Sequence, residues 1–142
     1  MGYYSEVAIT TTDKGWEKIE KLAKQYYKEM LNAKIKEHGS SVWDDCIVCD
    51  GIAYPKELDV KFSVKSKDGY TLAYVSDVKW LDYPDWIQVR AYRKAFNDCG
   101  EYVRELMVGE DGAIDEYPYN EHKEPGDIPH IWVHAYIDID AF

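Results

Sequence analysis

Two stretches of helical periodicity on either side of a tight hairpin, with alternating apolar strands around them, predict an α+β chain. The order reads as a ferredoxin-like β-α-β-β-α-β sandwich with two additional C-terminal strands on a mainly antiparallel sheet. A length of 142 residues predicts one α+β domain over 1–142. At that size roughly 68–70% of the unfolded surface can be buried, so the core needs no covalent staples.

Residues 3–10 alternate, with Tyr3, Ser5, Val7 and Ile9 on one face and Tyr4, Glu6, Ala8 and Thr10 on the other, as a strand does. Thr12 or Asp13 caps a helix, and Trp16, Ile19, Ala23, Tyr26, Met30 and Ala33 recur at spacings that place them on one stripe. Lys18, Lys21, Lys24 and Lys28 take the wet side with Glu17, Glu20 and Glu29, and Gly39 ends the helix. Residues 40–57 read as irregular, with room for a short strand through Cys46–Cys49.

Leu58, Val60, Phe62 and Val64 then alternate inward against Asp59, Lys61, Ser63 and Lys65. Asp68-Gly69 signals a tight turn into a partner strand over 70–80. Asp82 suits an N-cap and Pro84 the first turn of a second helix. Trp86, Val89, Tyr92 and Phe96 form its apolar stripe, and Gly100 stops it. Strands follow at 101–108 and, after the GEDG turn of 109–112, at 113–119. A loop with Pro118, Pro125, Gly126 and Pro129 leads to a last strand. There Ile131, Val133, Ala135, Ile137 and Ile139 face inward, and Trp132, His134, Tyr136, Asp138 and Asp140 outward. So regular a terminal strand is an edge that needs covering, and pairing with a second copy in a homodimer covers it.

The nine residues VKWLDYPDW, 78–86, pack two tryptophans, a tyrosine and a proline into the junction between strand and helix. The alternation puts Val78 and Trp80 on one face, and Trp86 heads the helical stripe. The stretch therefore reads as an elbow whose tryptophans belong to the core, with Lys79 and Tyr83 facing outward.

The net charge of −10 is unevenly distributed. Residues 1–40 carry 7 lysines and 6 acids, residues 41–94 carry 8 bases and 9 acids, and residues 95–142 carry Arg104 and Lys123 against 12 acids. Such a surface repels nucleic acid and anionic membrane and attracts cationic partners. The first ten residues have neither a basic nor an apolar leader region, and Glu6 stands where a myristoylation signal needs Ser or Thr. No apolar run approaches the ~20 residues that span a bilayer. A cytoplasmic protein without membrane contact is expected, and three cysteines, an odd count, fit free thiols there.

MGYYSEVAI, VKWLDYPDW and ELMVGEDGAIDEY together resemble a family of small uncharacterised proteins from bacteriophages and prophage-bearing bacteria. These open with a similar Gly-Tyr-Tyr-Ser strand, carry a Lys-Trp pair before an aromatic and a helix, and continue with an acidic Gly-Glu-Asp turn. The likeness covers residues 1–10 and roughly 70–120. It implies a phage context, in which small acidic accessory proteins modulate host machinery. It implies no activity.

Enzymatic motifs are missing: there is no P-loop, GxSxG, GxGxxG or HExxH. Cys46 and Cys49 have the spacing of a zinc or redox pair, but zinc needs four ligands and no second pair exists. A redox pair needs a helix N-terminus beneath it, whereas here a helix end and a Ser-Ser loop precede it. His130 and His134 on one strand stand roughly 13 Å apart at ~3.3 Å per residue, too far for a shared metal. Gly109-Glu110-Asp111-Gly112 with Asp115 and Glu116 lacks the spacing of a calcium loop. No catalytic residue, metal or cofactor is expected.

Two binding roles remain. In the first, Glu110, Asp111, Asp115, Glu116, Asp138 and Asp140 dock on a basic surface of a host protein, such as a component of anti-phage defence. In the second, Trp80, Tyr83 or Trp132 stacks a base, and Arg90, Arg93 or Arg104 meets the phosphate of a small nucleotide. A structural or assembly role without a ligand is the third possibility. Direct DNA or RNA binding is not expected from the charge.

Overall fold

The computed structural model describes residues 4–81, 83, 86–126, 128, 132–133 and 137–139, the side chains of 132, 133 and 138 excepted. β1 (Ser5–Thr12) runs into α1 (Asp13–His38). The Thr12 hydroxyl caps α1 by accepting the Gly15 N–H at 3.0 Å. Asp13 in the first turn and Lys36 and His38 in the last complement the helix dipole. Gly39, at φ 71°, closes α1 by donating its N–H to the Ile35 carbonyl.

Residues 41–55 form a separate three-stranded antiparallel sheet of β2 (Ser41–Trp43), β3 (Cys46–Cys49) and β4 (Ile52–Pro55): the short strand allowed at Cys46–Cys49 is there, flanked by two more where irregular chain was expected. Its second turn is an Asp-Gly pair with positive φ at both residues, 50° at Asp50 and 77° at Gly51. That is the tight hairpin geometry also found at Asp68-Gly69.

β5 (Ser63–Lys67) and β6 (Tyr70–Val78) form the expected hairpin. α2 (Ile87–Asp98), β7 (Val103–Gly109) and β8 (Ile114–Tyr119) follow, then a single 3-10 turn at Glu121–Lys123. The main sheet has the order β5-β6-β1-β7-β8, antiparallel throughout. Each helix thus joins two strands that leave one strand between them. The chain is an α+β sandwich whose helices cover one face of the sheet, and β8 extends it at one edge.

The core on the helix face gathers Val7, Ile9, Trp16, Ile19, Trp80, Tyr92 and Phe96. The apolar stripe of α1 is as expected through Ala23, then turns: Tyr27 and Leu31 are buried, whereas Tyr26 and Met30 are half-buried and Ala33 is exposed. The small sheet causes the turn, because Cys49, Tyr54, Ile87 and Ala91 pack with Tyr27 and Leu31 in a cluster of their own. Leu58, Val60 and Phe62 pack on the core from the segment before β5. Val64, expected inward, is 48% exposed because β5 is an edge strand. α2 begins at Ile87, later than expected, with Trp86 as a cap that makes no side-chain capping bond. Asp82 and Pro84 lie outside the described residues.

The C-terminal stretch departs most from expectation. Among the described residues it is a short hairpin of β9 (Trp132–Val133) and β10 (Ile137–Asp138), and it does not join the main sheet. Ile128, Ile137 and Ile139 cover Ala8, Tyr70, Leu72, Leu106 and Val108 on the face opposite the helices. That face is apolar, so burying it is worth more than lengthening an edge. Among the described residues the terminal stretch, through which a homodimer contact was expected, is thus not an edge of the main sheet. No helix among the described residues is long and apolar enough to cross a membrane.

Candidate functional site

Trp80 lies at the end of the β6 limb and is completely buried. Its ring packs near Phe62 and Tyr92, with centroids 5.9 Å and 5.8 Å away. Its indole N–H donates to Glu105 Oε2 at 2.9 Å. Glu105 of β7 is also fully buried, beneath α2, and the Arg93 guanidinium donates to the same oxygen at 2.9 Å. The Tyr119 hydroxyl of β8 donates to Oε1 at 2.8 Å. Three donors thus saturate a buried carboxylate, and β7, α2, β8 and the elbow are tied to one point. Arg93 also lies over the Tyr117 ring, 5.2 Å from its centroid. Burial works against the Arg93 charge, but Glu105 beside it wins and raises its pKa. Burial, then Glu105, pushes the Tyr119 phenol up.

The elbow is therefore core on its Trp80 side. Tyr83 is 53% exposed, its ring edge-on to half-buried Trp86 at 4.9 Å. Lys79 is exposed, its Nζ 5.5 Å from the Tyr4 ring centre. Both face outward as expected.

These contacts occupy three members of the nucleotide set read from the sequence. Trp80 has no free face on which a base could stack, Arg93 is held by Glu105, and Arg104 is ion-paired with Glu116. Arg90 and Tyr83 are exposed, and the Trp132 side chain is outside the described residues.

The acidic set fares differently. Glu110 and Asp111 sit in the turn between β7 and β8, and Asp115 and Glu116 on β8. The run 110–118 is exposed throughout, at one edge of the sheet. Asp111 accepts the Ala113 N–H at 3.0 Å, and the Glu110 N–H donates to the Tyr4 carbonyl at 3.0 Å, so the turn is fixed. Ile114 and Tyr117, 52% and 41% exposed, stand among the acids. Glu116 is paired with Arg104, and Glu110, Asp111 and Asp115 stand exposed around it. The Asp138 side chain and Asp140 lie outside the described residues.

Cys46 and Cys49 are free thiols, one half-buried and one buried, and three residues apart on β3 they point to opposite faces. Burial raises the Cys99 thiol pKa. Among the described residues no three potential metal ligands converge.

Two features escaped the sequence reading. Glu105 looked like one more acid in an acid-rich third; it shares its face of β7 with Val103 and Met107, and both faces of that strand are covered. Val42 and Trp43, 68% and 75% exposed on β2, were hidden in a stretch read as irregular. Compared with known protein families, curated proteins and solved structures, the chain matches none.

Proposed function

We propose that the chain is a non-enzymatic accessory protein of bacteriophage origin, acting in the host cytoplasm. It docks through the β7–β8 edge on a basic surface of a host protein and modulates that protein, as an inhibitor of anti-phage defence does. The observation that carries this reading is the exposed run 110–118, in which Glu110, Asp111 and Asp115 flank Ile114 and Tyr117 along an edge strand. Acids of this kind set association rate and salt sensitivity, while Ile114 on one face of the edge strand and Tyr117 on the other supply contact area. An edge strand also offers backbone groups to a partner strand. A second copy, if the protein pairs with itself, has the outer edges of β5 and β8 to use.

The test is affinity capture from lysate of a bacterial host with the wild-type chain and with Glu110→Lys, Asp111→Lys and Asp115→Lys combined. The expected result is a specific protein retained at low salt by the wild type and lost both in the variant and at high salt. A partner held equally by both proteins, or indifferent to salt, refutes the acidic edge as the docking surface.

A further inference from the structure

α1 presents Lys24 and Lys28 one turn apart on its exposed side, and the chain leaving β4 brings Lys56 opposite them. The Tyr27 hydroxyl donates to the Pro55 carbonyl and so holds the end of β4 against α1. Between them lies a trough of about 470 Å³, lined by Lys24, Tyr27, Lys28, Lys56, Glu57 and Leu58. It shares Lys24 and Leu58 with a second hollow of about 280 Å³. Val60, Phe62, Trp16 and Tyr92 line that hollow, together with Glu20 and Lys61.

Several lysines elsewhere are engaged. Lys18 meets Glu101 at 3.9 Å, Lys123 donates to the Gly100 carbonyl at 2.6 Å, and Lys94 sits 4.3 Å from the Tyr26 ring centre. Lys24, Lys28, Lys56 and Lys61 make no ion pair or hydrogen bond among the described residues. With Glu20 and Glu57 beside them, and Asp59 close enough to act on Tyr27 and Tyr92, they leave an excess of one positive charge around the adjoining hollows, on a chain of net charge −10. Like charges held along one cleft repel each other until an anion enters, and the field is strongest where they converge.

We propose that the joined hollows bind a small phosphorylated ligand with a flat apolar part, of the nucleotide class. Lys24, Lys28 and Lys56 meet the phosphates as point charges, and the apolar part lies against Leu58, Val60 and Phe62. The site is separate from the arginines and tryptophans considered above, and it does not depend on the acidic edge.

The experiment is titration calorimetry of the full chain at low salt with ATP, inorganic tripolyphosphate and adenosine, paired with NMR mapping of the amides. ATP is expected to bind most tightly and adenosine most weakly, with shifts concentrated at residues 24–28 and 56–62. Lys28→Glu with Lys56→Glu, both exposed and without effect on folding, weakens ATP about tenfold or more. Lys67→Glu on β5 leaves binding unchanged. Absence of saturable binding by either phosphate compound, or equal ATP affinity in the Lys28→Glu/Lys56→Glu chain, overturns the site. Equal affinity for ATP and tripolyphosphate overturns the nucleotide class.

Discussion

Replacing Glu105 by leucine removes the carboxylate on which Trp80, Arg93 and Tyr119 converge. The Trp80 indole donor is then stranded in the core, at about 1–3 kcal/mol for a buried group left unpaired, while the phenol of half-buried Tyr119 loses its acceptor at a smaller cost. Arg93 loses its partner as well, but its side chain is 21% exposed and can turn toward water, which discounts its share. The expected cost is about 3–5 kcal/mol, the range for breaking a buried pair from one side. Glu105→Gln should cost only about 1–2 kcal/mol, the difference between a charge-assisted and a neutral hydrogen bond. Its oxygen can serve Trp80 and Arg93 while its amide donates to the Tyr119 hydroxyl. Combining Glu105→Leu with Arg93→Met removes the unpaired guanidinium and should recover about 1–2 kcal/mol of the loss. Urea unfolding reads all three, provided the slope is unchanged and only the midpoint moves. Leu and Gln variants of equal stability, or a Leu variant within about 1 kcal/mol of wild type, would refute the network as a fastening point.

Tryptophan substitutions should separate the core from the surface. Trp80→Ala costs about 3–5 kcal/mol, whereas Trp43→Ala stays within about 0.5 kcal/mol because its ring is 75% exposed; equal losses in thermal unfolding would contradict this. Gly15→Ala should destabilise by about 1–3 kcal/mol by overpacking, since a Cβ there overlaps Thr11 Oγ1, which is fixed by its bond to the Tyr102 carbonyl. A neutral result in a denaturant titration counts against that packing. Burial, with help from Glu6, pushes the Tyr74 phenol up to about 12, and Tyr27, Tyr92 and Tyr119 are also raised mainly by burial. Their folded pKa values exceed the unfolded value near 10, so the stability they contribute is complete below pH ~10 and lost as pH rises through the folded values. Alkaline unfolding with cooperative phenolate absorbance is expected, and gradual ionisation from pH ~10 without unfolding would argue against it.

Much of the architecture was readable from local pattern. The Thr12 cap, the Asp68-Gly69 hairpin and the Val7/Ile9 alternation each rest on backbone preferences within a few residues. Asp50-Gly51 carries the same turn signal as Asp68-Gly69, but its flanking strands are only four residues each, too short for alternation to stand out. The acidic edge was half readable: composition placed Glu110, Asp111 and Asp115 outside, while the pairing of Glu116 with Arg104 needed the β7–β8 register.

Sequence alone determined the order of the two helices and the main-sheet strands, the strand-to-helix elbow and the acidic last third, because periodicity, turn chemistry and charge are properties of neighbours along the chain. Tertiary structure decided where equivalent-looking segments went. The C-terminal apolar residues cover the second face of the sheet, since Leu72, Leu106 and Val108 there offer more area to bury than an edge does. It also decided which of many acids is buried, because a carboxylate survives in the core only where donors from distant positions, 80, 93 and 119, meet it. The convergence of Lys24, Lys28, Lys56 and Lys61 has the same origin: the small sheet folds back on α1 and brings cations from separate stretches to two adjoining hollows.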